Sequence, residues 1–396
     1  MNLGTTHSAR RGDLDLLIVG AGPAGLACAI ATASRGLKVT VVDAMRAGID
    51  KACGEGLMPD ALTALAALGF DPGHDLGSIE TAPLGGIRFL CEQTGSLPMI
   101  TTEAAFPSGP GRGIRRTVLH QFLLERAISL GVRFEWETVA RGITQDEDSV
   151  QLHTNRQSLT ARYLVGADGH QSRVAASANL EEASVYSRRI GLRQHYAVTP
   201  WTNFVEVYWS NRGQAYVTPI SPATVCVAFI SNRRFSSPTE ALTHFPGLQR
   251  HLASVTAAPQ PIGAPRGAIT IGRSLRRVRS GNIALVGDAS GSVDAVTGEG
   301  MALGFRQAAA LASALAADDL STYQSAHRNI QRIPTLMSRS LLLMDRYPRL
   351  CARTLNTFER NPKLFARLLQ MHIGHAPVQF FGRDGLLATG LHLLSI

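Results

Sequence analysis

No apolar run in this sequence is long enough to span a bilayer. Charged residues make up only 17% of its 396 positions and aromatics 6%. Its five cysteines, Cys28, Cys53, Cys91, Cys226 and Cys351, lie far apart. They form no C-x-x-C pair and no Cys/His cluster, so neither a metal centre nor a disulfide framework is expected, and a reducing cytoplasm is the expected compartment. Residues 1–12 are polar and lack the apolar core of a signal segment. The net charge of +9 comes mostly from scattered Arg. No long Lys/Arg run interleaves with aromatics, which argues against nucleic-acid binding and leaves anionic ligands or peripheral membrane contact open. Internal repeats and low-complexity tracts are missing too.

What the sequence does have is a dense organising stretch from Asp15 to Asp43. The continuous apolar run Leu16–Val19 reads as a strand buried on both faces. Gly20, Gly22 and Gly25 follow with G-x-G-x-x-G spacing. In that pattern the first glycine allows a tight turn, the second lets backbone approach a diphosphate, and the third lets the helix lie close on the strand. The small-residue helix that follows, Leu26–Ala33, turns free N–H groups and the positive end of its dipole toward that diphosphate, and Gly36 ends it. A second buried strand, Leu37–Val42, ends at Asp43, where a carboxylate accepts from an unphosphorylated ribose.

Two more buried strands end in Gly/Asp turns. Ala161–Val165 runs into Gly166-Ala-Asp168-Gly169, and Asn282–Val286 runs into Gly287-Asp288, with Gly298-Glu299-Gly300 just before a small-residue helix from Met301 to Ala317. A helix is expected over Arg115–Leu130, ended by Gly131. Residues 50–60 (with Lys51, Cys53 and two glycines) read as a loop. Alternating patterns across residues 189–231 point to an antiparallel sheet, and residues 321–396 to a helical appendix rich in Leu, Met and Arg.

In order and separation, the three glycine-acid sites resemble the FAD signatures of the flavoproteins that include p-hydroxybenzoate hydroxylase, geranylgeranyl reductases and flavin-dependent halogenases. The resemblance implies an α/β fold: a Rossmann-like FAD-binding domain with a parallel sheet (13–80, 110–180 and 270–320), an inserted antiparallel-sheet substrate domain (81–109 and 181–269) and a C-terminal helical region (321–396). It implies FAD contacts from Gly20, Gly22, Pro23, Ala24, Gly25 and Asp43. Arg116 heads an Arg-x-x-Leu-x-x-x-Leu pattern (with Leu119 and Leu123) that lies against FAD in this family. Asp168 and Gly169 would shape the middle turn. Gly287 and Asp288 would reach the ribityl chain, and Gly298, Glu299, Gly300 and Met301 the ring edge, where a helix N-terminus stabilises negative charge on reduced flavin.

Ser290-Gly291 stands where aromatic hydroxylases carry a His, and Val296 near their usual Pro; this third motif and the Lys51-x-Cys53-Gly54 loop look more like the geranylgeranyl reductase branch. That branch's Tyr-x-Trp-x-Phe-Pro motif is kept only in part, as Tyr216-Val-Thr-Pro219, and Trp201 and Trp209 are not spaced as in tryptophan halogenases. Three functions remain. The leading one is an FAD-dependent monooxygenase of a hydrophobic phenolic or polyketide-type molecule, the next a reductase of isoprenoid double bonds, the third a non-catalytic electron-relay flavoprotein. Candidate catalytic residues are Lys51 (charge balance), Cys53 (proton donor, or equally a small packing residue) and Tyr216, an aromatic on a strand that more commonly belongs to a core. With one dinucleotide motif, NAD(P)H is expected as a transient co-substrate.

Overall fold

The computed structural model describes residues 14–48, 50–92, 99–255 and 259–374. Expectations for residues 1–13 and 375–396 lie outside them.

The apolar run predicted first forms the strand Leu14–Val19, whose last four side chains are buried. It is the centre of a sheet whose parallel strands run in the order Ile283–Leu285, Ser158–Gly166, Leu14–Val19, Val39–Val42, Arg133–Glu135. Both faces are covered, as continuous apolar strands require. Helices Pro23–Ala33, Arg116–Ser129 and Gly300–Ala316 supply Leu26, Ile30, Leu119, Leu123, Phe305 and Leu311 to one core with Leu16 and Ile18.

The second sheet has the strand order Gly291–Ser292, Gln260–Leu275, Ala183–Ala197, Thr224–Ser231, Gly213–Ser221, Phe204–Ser210, Gly86–Cys91, Ile100–Ala105. It departs from the antiparallel expectation at one seam: Phe204–Ser210 runs parallel to Gly86–Cys91. A parallel pair needs a crossover connection, and the more than a hundred residues between these two strands supply one. Helices Ser321–Arg346, Pro348–Arg360 and Pro362–His372 follow, and Leu355, Phe358 and Phe365 pack with Ile87, Val207 and Trp209 of this sheet.

Two buried polar clusters tie the sheets to the segment around Gly298. Arg189, 1% exposed, donates to both oxygens of the fully buried Asp294 (2.5 and 3.2 Å) and to Gln214 Oε1 at 2.7 Å, and faces Asp345 of helix Ser321–Arg346 at 3.4 Å. His327 of the same helix lies 2.9 Å from Ser290 Oγ and 3.3 Å from Gln307 Nε2. Asp294→Ala should leave the Arg189 guanidinium buried beside fewer anions and cost about 3 kcal/mol, read as a lowered urea midpoint. Burial depresses His327 from 6.5 to about 4. The unfolded imidazole takes a proton first, so the stability contributed by the neutral side chain is present above pH 6.5 and is lost as pH falls to about 4. The loss should reach about 3 kcal/mol, and His327→Gln should flatten this part of the stability-against-pH curve.

Candidate functional site

The first turn is set by close backbone approach. A Cβ on Gly25 would meet the Gly20 carbonyl oxygen at 1.9 Å, and Gly20, at φ +106°, packs against Ala167, where a Cβ would meet the carbonyl oxygen at 2.5 Å. Only glycine permits this seating of helix on strand and of the first turn on the second. Asp43 then fixes the turn: its Oδ2 accepts from Ala21 N at 2.7 Å and its Oδ1 from Met45 N at 2.8 Å. The second turn is braced likewise, with Asp168 accepting from Ser172 Oγ (2.5 Å), Arg173 N (2.7 Å) and Val174 N (3.3 Å). In the third, Gly287 N donates to Gln307 Oε1 at 2.7 Å.

These turns open on one cavity of about 1720 Å³. Ligand pockets are typically about 300–1,000 Å³, so this one has room for a dinucleotide and a second molecule. Gly20, Gly22, Pro23, Ala24, Asp43, Arg116, Asp168, Gly169, Gly287, Asp288, Gly298, Gly300 and Met301 all line it. Gly25 does not, because it serves the helix–strand contact. Nor does the side chain of Glu299: its carboxyl is 1% exposed and turned toward His372 Nδ1 (3.5 Å) and Arg306 Nη2 (4.0 Å). Burial pushes it well above the usual carboxylate range. The side chain therefore braces the loop from beneath.

The lining suits FAD. Helices Pro23–Ala33 and Gly300–Ala316 both start at the cavity without a side-chain cap, leaving N–H groups for an anion or a carbonyl. Gly22, Gly169 and Gly300 face open space where a Cβ would stand. Arg116 lines the cavity with Nη1 buried and without a hydrogen-bond partner. Asp288 lines the cavity, where surrounding protein raises its carboxyl against the opposing influence of neighbouring His170, Arg273, Lys51 and Arg116.

The three catalytic candidates also reach the cavity. Lys51 is exposed. Cys53 is half-buried, and burial followed by the nearby Glu55 charge raises its thiol, which stays protonated at neutral pH. Tyr216 donates its hydroxyl to the Val296 carbonyl at 2.7 Å, so that proton is engaged in tying the sheet to the Gly298 loop.

Sequence reasoning passed over Glu55. It sits at φ +60°, buried to 1%, between two cavity-lining glycines. Its Oε1 accepts from Arg116 N at 3.0 Å and its Oε2 lies 2.6 Å from His195 Nε2. Left-handed backbone costs a non-glycine residue about 1–2 kcal/mol, which these contacts offset. Cys226 completes a close group with Glu55 and His195. The Arg193 and Arg115 guanidiniums lie 2.8 and 3.4 Å from His195 Nδ1, so cationic charge is already supplied there. The sequence signal was an acid framed by glycines, the Gly-Glu-Gly of 54–56 repeated at 298–300.

The family described as FAD binding domain matches residues 13–321. Among curated relatives, the chain is 26% identical over 312 residues to a digeranylgeranylglycerophospholipid reductase of Methanothermobacter thermautotrophicus, covering 74% of this chain and 75% of that protein. It is 29% identical to a ubiquinone hydroxylase of Rhodospirillum rubrum, covering 76% and 72%. The fold is shared with a flavoprotein/dehydrogenase from Cytophaga hutchinsonii (TM-score 0.80, 16% identity, 97% and 99% covered). No helix among the described residues is long and apolar enough to cross a membrane. With its glycine-acid turns converging on one dinucleotide-sized cavity and the family match spanning all of them, the chain belongs to the FAD-binding domain family and is an FAD-dependent oxidoreductase.

Proposed function

We propose that the protein saturates double bonds in a long, isoprenoid-type hydrocarbon chain. In this reading the segments 13–80, 110–180 and 270–320 hold FAD, and 81–109, 181–269 and the helices after 320 hold the substrate. The observation that carries it is the character of the cavity beyond Gly298. Phe89, Val205 and Val207 line it from the sheet, and Met337, Leu341, Phe358 and Phe365 from the helices. Polar groups among them are turned to the protein: Tyr216 donates to Val296 O, Ser340 Oγ donates to Leu336 O at 3.0 Å, and His372 Nε2 lies 3.0 Å from Thr297 O. A small phenol would find little there to orient its hydroxyl, whereas a hydrocarbon chain gains about 25 cal/mol for each Å² removed from water. This places reduction ahead of the hydroxylation preferred from sequence alone.

FAD, when bound and reduced, supplies the hydride equivalent, with NAD(P)H as its transient donor. The chain's own residues do the rest. Gly298–Gly300 and the uncapped start of helix Gly300–Ala316 offer N–H groups to the ring edge. The apolar walls exclude water. Cys53, held as a thiol, gives a proton to the carbon next to the one that accepts hydride, and Lys51 offsets negative charge beside Asp288. The reductase relative supports this reading. The hydroxylase relative supports a second one, oxygen insertion into a ring carrying such a chain.

Anaerobic incubation of the FAD-loaded protein with NADPH and a detergent-dispersed geranylgeranyl lipid, followed by mass spectrometry, separates the two. Reduction adds hydrogen pairs without oxygen; a product that forms only in air and contains oxygen contradicts it. Cys53→Ala should lower turnover about 10²-fold or more with FAD affinity unchanged, and an unchanged rate removes Cys53 from the mechanism.

A further inference from the structure

The cavity's outer end has an unusual rim. Leu336 (51% exposed), Leu343 (52%) and Ile269 (42%) all line the cavity, yet stand in solvent. On helix Ser321–Arg346 the exposed side chains Arg332, Leu336, Arg339, Leu343 and Arg346 follow one another at spacings of three or four and make a single stripe, with exposed Tyr347 just past its end. The opposite side, with Gln331, Pro334, Ser338 and Met344, is buried. Arg349 and Arg353 extend the exposed basic surface onto helix Pro348–Arg360.

The charge on this surface is one-sided. Between residues 321 and 353 the sequence contains a single acid, Asp345. Its side chain is 7% exposed and turned inward to Arg189. The exposed charged side chains over this stretch are therefore all arginines. The guanidiniums of Arg339 and Arg346 lie over the rings of Tyr186 and Tyr347, at 5.0 and 5.5 Å, so cation–π contacts hold both charges at the surface beside aromatic rings. Leucines that enter hydrocarbon, arginines at headgroup level and a tyrosine at the boundary are what an interfacial helix presents to an anionic bilayer.

We propose that this stripe docks the protein on an anionic lipid surface, with the cavity mouth between Ile269 and Leu336 facing the bilayer. A chain-like substrate would then pass from lipid into the cavity without crossing water. The lipid-entry part of the proposal rests on the substrate class inferred above; the docking part does not.

The test uses the FAD-loaded full chain and vesicles of phosphatidylcholine with and without phosphatidylglycerol. The protein should co-sediment with the anionic vesicles at low salt, not with the neutral ones, and should be released as salt is raised. The combined variant Arg332→Glu, Arg339→Glu, Arg346→Glu should bind more than about tenfold more weakly while keeping its flavin and its turnover of detergent-dispersed lipid. Leu336→Ser with Leu343→Ser should also weaken binding, which separates insertion from charge attraction alone. Failure of the unaltered protein to bind, equal binding to neutral vesicles, or full binding by the charge-reversed variant overturns the proposal. So does a dimer in light scattering that the same reversals dissolve, since the stripe would then serve a second copy of the chain. If vesicles bind but dispersed lipid is not turned over, docking stands and the assigned reaction falls.

Discussion

The site depends on how closely helix Pro23–Ala33 lies on the end of strand Leu14–Val19. The clearance between the Gly25 Cα and the Gly20 carbonyl leaves no space for a methyl group, and Gly20 itself rests on Ala167 of the next turn. Moving that helix outward would separate the first glycine turn from the second. Gly304 repeats the device from the other side, since its Cβ would stand 3.1 Å from the Ala24 Cβ. Backbone proximity, rather than any one side chain, brings three strand ends within reach of one ligand.

Around that contact the acidic and amide side chains do more bracing than ligand binding. Asp43, Asp168 and Gln307 each accept from backbone N–H groups of the turns they hold. Glu55 links the loop carrying Cys53 to the first residue of helix Arg116–Ser129 and to His195 on the second sheet. Tyr216 and the C-terminal His372 hold successive carbonyls, Val296 and Thr297, immediately before Gly298. The segment leading into Gly298 is thus fastened to the sheet on one side and to helix Pro362–His372 on the other. Helix Pro362–His372 reaches this loop twice through His372, whose Nε2 lies 3.0 Å from Thr297 O and whose Nδ1 lies 3.5 Å from Glu299 Oε2.

The parts legible in the sequence were those with local signatures. Leu16–Val19 and Val39–Val42 are short, β-branched-rich runs of strand length, and glycines before helices mark the turns. Strand Gln260–Leu275 was missed because Pro261, Gly263, Pro265 and Gly267 read as breakers. It survives as a largely exposed strand because Ala183–Ala197 pairs with it along most of its length. Ile100–Ala105 hid because Thr102 and Ala104 occupy two of its three buried positions. Side-chain direction follows from neither spacing nor composition: Glu299 sits between two cavity glycines, and its carboxyl turns inward beneath them. The far wall of the cavity comes from helices that only the tertiary fold brings against Phe89 and Val207.

A crystal structure of the protein grown with FAD tests the central claim most directly. The account predicts the diphosphate at the Gly20–Gly22 turn, beside the start of helix Pro23–Ala33. It predicts the isoalloxazine edge at Gly298–Gly300, with apolar space beyond it toward Phe89 and Phe365. Density for FAD outside this cavity, or a ring lying away from Gly298–Gly300, would contradict it.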